Sequence, residues 1–348
     1  MVRTNARLTI ATAGLLLFSV LASLGVAEAV MRAISRLRSA QVPPLAPELA
    51  GLPQIRSLFE LATPNQRGVY KGHLYQTNST GFRGREYVRE KPSNAFRIVA
   101  IGDSFTMGDG VDEDQAYPAL LEKALNTSGP GHYEVLNLGI AGFNVRHSLD
   151  RLHKIGLMFA PDLILYGFTI NDLDLLPGYR HTEVPGEASP FQVVGDARLA
   201  WSLFRDLVWP PLGSYLYELN ENFFDNPEVW GSFRSNLSEL ARVGRGRGDC
   251  VVVLIHTDLV HLGRIHPLRR HYEAVERAVA EQGMTAIQTL PFVIGRGSEG
   301  LTIGFLDPHP NPKGHRAFAR ALLEGLSSLP ESCWKDQRPA SFVLGQNP

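Results

Sequence analysis

The chain has 348 residues, 44% of them hydrophobic, and a formal net charge of −1. That length can bury the core of one catalytic α/β domain with insertions. The near-neutral charge gives no argument for nucleic acid or for a strongly acidic partner, and the sequence shows no internal repeat or low-complexity tract.

The amino terminus contains a long apolar segment. Leu8 to Ala27 is a run of twenty residues without a charge, and a run of that length can span the hydrocarbon core of a bilayer. Ala27–Ala29 resembles a signal-peptide cleavage site, and basic residues flank both ends of the run. We favour an uncleaved membrane anchor within residues 1–40 over a cleaved signal segment, with a buried soluble helix as the third alternative.

The segment after the anchor predicts a linker and lead-in over residues 41–77, because its first part is rich in proline and alanine. Beyond it, apolar β-branched runs alternate with helical patterns such as Tyr117–Leu125 and Leu268–Ala280. This alternation predicts a parallel sheet with helices on both faces. The candidate strands are Arg97–Gly102, Tyr133–Leu138, Asp162–Gly167, Cys250–His256 and the less regular Thr285–Leu290.

The first of these strands ends in the tripeptide Gly-Asp-Ser. Catalytic groups of parallel sheets gather beyond the carboxyl ends of the strands, so Ser104 lies where a nucleophile would be useful. Gly102 permits a tight exit from the strand. Serine and aspartate are also ordinary turn residues, and the tripeptide alone therefore does not establish a site.

A second polar segment follows about two hundred residues later, where Asp307 and His309 lie on a predicted loop. A serine hydroxyl needs a base to take its proton, and histidine is the usual base at neutral pH. A neighbouring carboxylate can hold the imidazole in one tautomer. Asn311 is predicted to cap a helix that begins at Pro312.

Two intermediate segments could complete an acyl-transfer site. Gly142 ends a glycine-containing stretch after the second strand, where a backbone N–H could approach a ligand closely. Asn171 follows the third strand, and its uncharged amide could donate a hydrogen bond to an oxyanion. Each position, taken alone, is more typical of a turn glycine or a capping asparagine than of a functional site.

The order of these motifs resembles that of the SGNH (GDSL-type) hydrolase superfamily, and the leader Thr77–Arg83 is similar to that of its membrane-anchored bacterial members. The resemblance covers roughly residues 78–326. It implies a flavodoxin-like three-layer α/β/α sandwich with a mostly parallel five-stranded sheet. It also implies a catalytic triad of Ser104, His309 and Asp307. The oxyanion hole that it implies is formed by the Ser104 N–H, the Gly142 N–H and the Asn171 side chain. The stretch Gly167–Asp172 is looser than the usual Gly-x-Asn-Asp.

The function that this resemblance implies is that of a serine esterase. It would hydrolyse carboxylic esters, acetyl or other short-chain acyl, through an acyl-serine intermediate and without a cofactor or metal. The substrate would be a small-molecule, glycan or lipid ester. The membrane would be contacted through the amino-terminal helix, with the catalytic domain outside the cytoplasm or secreted after cleavage. The alternatives are an O-acyltransferase acting on envelope polysaccharide or lipid, and a catalytically silent glycan-binding envelope protein.

We predict a catalytic domain over residues 78–330, with an insertion at about 173–247, followed by a tail at 331–348. An aromatic stripe within the insertion, Trp201–Leu219, indicates either core or a lid beside the site. The two cysteines are too few for a metal site. Cys250 opens a strand and Cys333 lies in the tail, so we favour unpaired thiols over a disulfide.

Overall fold

The computed structural model describes residues 45–55, 58–127, 131–173, 225–259, 262–263, 265–295, 300–304 and 307–344, with isolated helical positions between 18 and 36. The chain divides into a smaller unit, Met1–Val42 with Pro185–Glu218, and a larger one, Pro43–Val184 with Leu219–Pro348. In the smaller unit, Arg32 Nε lies 2.6 Å from Glu28 Oε1, one helical turn away.

The predicted anchor over residues 8–27 lies largely outside the described residues. Among the residues that are described, no helix combines the length and the apolar character needed to cross a membrane. The anchor therefore stays a prediction.

The larger unit begins with a short lead-in that carries regular structure. It contains helix α1 (Leu58–Leu61) and a hairpin of strands β1 (Arg67–Tyr70) and β2 (His73–Gln76). The hairpin turn is Lys71-Gly72, with φ values of 49° and 85°. The proline and alanine content of residues 41–53 did not indicate this helix and hairpin.

A five-stranded parallel sheet forms the centre of the larger unit, in the order β4-β3-β5-β6-β7. Its strands are β3 (Ala95–Gly102), β4 (His132–Asn137), β5 (Leu163–Phe168), β6 (Cys250–Ile255) and β7 (Thr285–Gln288). Every residue of β3 and β5 is buried, as expected of strands covered on both faces. The predicted α/β fold is confirmed, and each predicted strand agrees to within two residues at either end.

Helices cover both faces of this sheet. They are α2 (Ser104–Met107), α3 (Tyr117–Thr127), α4 (Val145–Lys154), α5 (Pro227–Arg247), α6 (Arg269–Glu281), α7 (Leu290–Val293) and α8 (Pro312–Ser327). Alternate residues of the central strands form one core cluster with α3 and α8. Helices α4, α5 and α6 pack side by side against the other face.

Shorter elements complete the unit. The 3-10 helices are Pro47–Leu49, Glu113–Gln115, Gly156–Phe159, Ile170–Leu173 and Glu331–Trp334. Strands β8 (Thr302–Gly304) and β9 (Asp307–Pro310) pair antiparallel with a bulge between them. The predicted loop at residues 307–309 is therefore wrong, because that segment pairs with β8 as a short strand.

The predicted insertion at 173–247 is only partly visible. Residues 174–224, which include the aromatic stripe, lie outside the described residues. The remainder forms helix α5, which connects β5 to β6 as a crossover helix of the sheet. Phe233 of this helix is buried against Phe168 at the end of β5, with ring centroids 5.4 Å apart.

Cys250 and Cys333 form a disulfide, with their Cα atoms 5.4 Å apart, so the prediction of unpaired thiols is wrong. The physical reason is the position of the tail. Trp334 is fully buried and its ring lies 5.2 Å from that of Phe96 on β3. This packing draws the adjacent Cys333 to the sheet, where Cys250 begins β6.

Candidate active site

Ser104 begins helix α2 directly after β3. The carboxylate of Asp103 caps this short helix and accepts a hydrogen bond from the Phe105 backbone N–H at 2.9 Å. Gly102 has a φ of 154°, and a Cβ there would lie 2.8 Å from the Gly167 carbonyl oxygen. Glycine thus allows β3 to turn sharply beside β5, and the turn fixes the Ser104 hydroxyl at the carboxyl edge of the sheet.

His309 reaches Ser104 from β9, across 205 positions of sequence. Its Nε2 lies 3.0 Å from Ser104 Oγ, and its Nδ1 lies 2.5 Å from Asp307 Oδ1. The backbone N–H of His309 also donates to Asp307 Oδ1, at 3.1 Å. The structure therefore brings together the three residues that the sequence predicts as a triad, in the order serine, imidazole, carboxylate.

The strand that carries His309 is fixed by the start of α8. Asn311 caps this helix, accepting hydrogen bonds from the backbone N–H groups of Lys313 and Gly314 at 2.9 and 3.1 Å. Its Nδ2 donates to the Thr302 carbonyl on β8, at 2.9 Å. The predicted cap and the helix start at Pro312 are confirmed. One side chain thus joins β8, β9 and α8.

The pKa of His309 is raised and that of Asp307 is lowered. Burial favours neutral His309, but the charge of Asp109 and the hydrogen bond to Asp307 outweigh it and raise the pKa of His309. Burial would raise the pKa of Asp307, but the hydrogen bonds and charge of His309, with the charge of Lys71, lower it overall. The carboxylate therefore stays ionised wherever the imidazole can act as a base.

Two charged residues beside the predicted triad were missed by the sequence-based predictions. Lys71 Nζ lies 2.9 Å from Asp109 Oδ1 and 3.3 Å from Asp307 Oδ2. Asp109 Oδ2 lies 3.7 Å from His309 Nε2. Asp109 stands between two glycines just after α2, which was a signal of a tight turn. Nothing in the sequence near Lys71 indicated that the hairpin would reach the site.

Asn171 lies in the 3-10 turn that follows β5 and is half-buried. Its Oδ1 contacts the Thr169 hydroxyl, which also lies 2.8 Å from Asp103 Oδ2. Burial raises the pKa of Asp103. The Asn171 side chain also forms a hydrogen bond with Asp103, so Thr169 and Asp103 together hold it in place. Thr169 is one of the three residues that separate Gly167 from Asn171, where the usual Gly-x-Asn-Asp motif has one.

Gly142 lies in the turn after β4, with a φ of 78°. The turn is tied to the end of β3 because the Ile140 N–H donates to the Gly102 carbonyl at 3.1 Å. Asn137 braces it further, donating from Nδ2 to the Thr106 carbonyl at 2.9 Å and accepting from Gly139 N–H at 3.0 Å. These bonds place the turn beside the first residues of α2.

Two buried histidines lie behind the segment that carries Ser104. His256 and His315 are 1% and 0% exposed, and both pack against Tyr117 and Phe318. Burial lowers the pKa of His256 to about 3 and that of His315 well below its usual value. They are neutral side chains of the core. Among the residues that the structure describes, no group of three or more potential ligands could hold a metal ion.

Comparison with known proteins gives one family match and several similar solved structures. Residues 100–317 match the model of the GDSL-like lipase/acylhydrolase family. The protein is similar to LAE5, an α/β hydrolase enzyme from the metagenome of Lake Arreo, Spain, with 18% identity over 68% of this chain and 97% of that one and a TM-score of 0.44. No protein in the curated set matches the sequence.

Two esterase structures are similar at the same level. A catalytic mutant of Axe2, an acetylxylan esterase from Geobacillus stearothermophilus, shares 18% identity over 67% of this chain and 95% of that one, with a TM-score of 0.42. A two-domain esterase active on acetylated mannans shares 16% identity over 71% of this chain and 52% of that one, with a TM-score of 0.43.

Proposed function

The chain belongs to the GDSL-like lipase/acylhydrolase family and is a hydrolase, and on that premise we propose that it is a serine esterase with Ser104 as its nucleophile. The observation that carries this proposal is the 3.0 Å separation between Ser104 Oγ and His309 Nε2, with Asp307 hydrogen-bonded to the opposite ring nitrogen. This is the arrangement that activates a serine hydroxyl.

The first step is acylation. His309 Nε2 accepts the hydroxyl proton as Ser104 Oγ attacks the ester carbonyl carbon, and Asp307 stabilises the imidazolium that forms. The carbonyl electrons move onto oxygen and produce a tetrahedral oxyanion. When that intermediate collapses, His309 gives its proton to the leaving alcohol and the acyl group stays on Ser104.

The oxyanion needs hydrogen-bond donors at the carboxyl edge of the sheet. We assign this role to the Ser104 N–H, the Gly142 N–H and the Asn171 amide. Two observations support the assignment: Gly142 lies in a turn bonded to the Gly102 carbonyl, and the Asn171 side chain is held by Thr169 in the 3-10 turn that follows β5. Fixed donors of this kind stabilise developing charge without reorganising during the reaction.

The second step is deacylation. Water replaces the alcohol, and His309 takes its proton as the hydroxide attacks the acyl-Ser104 carbonyl. A second tetrahedral oxyanion uses the same donors and collapses to release the carboxylic acid. The proton on His309 returns to Ser104 Oγ, which restores the starting state. Each proton movement uses groups of this chain and the attacking water.

The substrate we propose is a small-molecule, glycan or lipid ester with an acetyl or other short acyl group. We also propose that the catalytic domain lies outside the cytoplasm, anchored through the amino-terminal segment. The disulfide between Cys250 and Cys333 supports that location, because disulfides persist in oxidising compartments and are rare in the cytosol.

The test is ester hydrolysis by the full chain. We expect turnover of p-nitrophenyl acetate and butyrate, slower turnover of the octanoate, and loss of activity in Ser104→Ala. Ser232→Ala, an exposed serine on α5, is the matched control and should keep full activity. Equal activity in Ser104→Ala would contradict the mechanism, and turnover that requires an added hydroxyl acceptor would indicate an O-acyltransferase instead.

A further inference from the structure

The hairpin turn beside the triad has a lysine in an unusual conformation. Lys71 and Gly72 both have positive φ, at 49° and 85°, in a two-residue turn. Asparagine and glycine are the residues usually found in such turns, whereas an L-residue with a long side chain is uncommon there. Unfavourable backbone conformations of this kind concentrate at functional sites, where the surrounding contacts hold them in place.

The contacts of the Lys71 side chain explain why it is held there. Its Nζ lies 2.9 Å from Asp109 Oδ1 and 3.0 Å from Asp109 Oδ2, and 3.3 Å from Asp307 Oδ2. The lysine side chain is 34% exposed, and that of Asp109 only 4%. A single cation from the lead-in hairpin therefore joins the carboxylate of the proposed triad to a second, buried carboxylate.

Asp109 is fixed relative to the nucleophile. Its backbone N–H donates to the Ser104 carbonyl at 2.9 Å, immediately after the left-handed turn at Gly108. Its Oδ2 lies 3.7 Å from His309 Nε2, the same ring nitrogen that lies 3.0 Å from Ser104 Oγ. Asp109 thus stands beside the atom that gains a proton during the proposed attack.

We propose that Lys71 and Asp109 are a pair of positioning residues that set the proton affinity of His309 from opposite directions, and this inference rests on the proposed role of His309 as the general base. Asp109 stabilises the imidazolium through its negative charge. Lys71 opposes that effect through its positive charge, while its Nζ pairs with the buried Asp109 carboxylate at 2.9 Å.

Five charged or titratable groups face His309. They are Asp307 on β9, Asp109 after α2, Lys71 in the hairpin, Asp103 before α2 and His315 on α8. Asp109 and Asp307 raise the pKa of His309 and Lys71 lowers it. Asp103 and His315 are unchanged in the variants below, so their effects cancel in the comparison.

The experiment is an NMR titration of the His309 imidazole in the full-length protein, assigned by the signal missing from His309→Gln. We expect Asp109→Asn to move the midpoint to lower pH by about one unit, and Lys71→Asn to move it to higher pH. Asparagine suits the turn conformation, so Lys71→Asn should keep the hairpin folded. Lys71→Arg should restore the wild-type midpoint because it keeps the cation.

Asp112→Asn is the matched control. Asp112 is an exposed aspartate that pairs with His73 of the same hairpin, at 3.0 Å, and the His309 midpoint should not change in that variant. The acid limb of the kcat/KM profile should follow the NMR midpoints in every variant.

If the His309 midpoint moves in the same direction in Asp109→Asn and Lys71→Asn, or moves in neither, the two residues do not have opposite effects. That result would overturn the proposal even in an active enzyme. A wild-type protein that hydrolyses no ester would instead count against the proposed function, and the NMR midpoints would still decide the charge relationship. A general loss of structure would shift both variants alike and would not be reversed in Lys71→Arg.

Discussion

Asp307 and His309 are two residues apart on one short strand, and Asp307 Oδ1 lies 2.5 Å from His309 Nδ1. The same oxygen accepts the backbone N–H of His309, so the carboxylate is fixed by its own strand. The four residues of β9 therefore set the orientation of the imidazole. Its contact with Ser104 depends in addition on the packing of α8. Different substitutions should separate these two contributions.

Asp307→Asn should abolish most of the turnover while leaving the fold intact. An amide can donate to Nδ1 and so favours the wrong tautomer, and a comparable change in another serine triad lowers kcat by about 10⁴. Steady-state hydrolysis of p-nitrophenyl acetate measures this. Asp150→Asn, an exposed aspartate on α4, is the control. A loss below tenfold would show that Asp307 does not orient the base.

Asn171→Ala should lower kcat by about 10²–10³ with little change in KM, because one donor to the oxyanion is lost while ground-state binding is kept. Asn236→Ala removes an amide from the surface of α5, where its Nδ2 donates to the Ser232 carbonyl one turn earlier, and should have no effect. A rise in KM with unchanged kcat would assign Asn171 to substrate binding instead.

Removing the disulfide should destabilise the fold without changing the catalytic residues. Cys250 and Cys333 close a loop of 83 residues, and loss of such a bridge costs roughly 2–5 kcal/mol. Urea unfolding of the Cys250→Ser/Cys333→Ser double variant should show a lower midpoint, and wild type with a reducing agent should match it. Two reactive thiols in the denatured, unreduced wild type would contradict the bond.

The stability of the wild type should fall as the pH falls below 6.5. The pKa of His256 is about 3 in the fold and about 6.5 in the unfolded chain, so the unfolded chain binds the extra proton between these values and stability rises with pH across that window. For this one histidine, the loss between about pH 8 and about pH 5 is about 2 kcal/mol.

His256→Leu should remove that part of the acid sensitivity, because leucine cannot take up a proton in the unfolded chain. Urea unfolding at both pH values measures the difference. The control is His153→Gln, on the surface of α4, which should keep the wild-type slope. Identical slopes in wild type and His256→Leu would show that His256 does not control acid unfolding.

The sequence allowed the sheet to be predicted because its strands are continuous apolar runs, such as Leu163–Phe168, bounded by turn residues. It also allowed the cap at Asn311 to be predicted, since an asparagine followed by a proline carries the signals of a helix start. Both features depend on neighbours in sequence. The catalytic roles of the five predicted site residues stay predictions, although the structure brings Ser104, His309 and Asp307 into contact.

The features that were missed depend on distant contacts. Lys71 reaches Asp307 across 236 positions, and a lysine in a tight turn gives no local sign of this. The disulfide depends on Trp334, which packs on Phe96 and carries Cys333 to the sheet. Thr169 contacts Asp103 across 66 positions, again through the neighbouring strand. Tertiary packing decided each of these, and no pattern along the chain encodes it.

The most direct test of the central claim is covalent labelling with a fluorophosphonate, followed by mass spectrometry of the labelled peptide. An activated serine forms a stable phosphonyl adduct, whereas ordinary serines do not react. We predict one adduct, on Ser104, that is absent in Ser104→Ala and strongly reduced in His309→Gln. An adduct on another residue, or a wild-type protein that stays unlabelled, would contradict the assignment of Ser104 as the nucleophile.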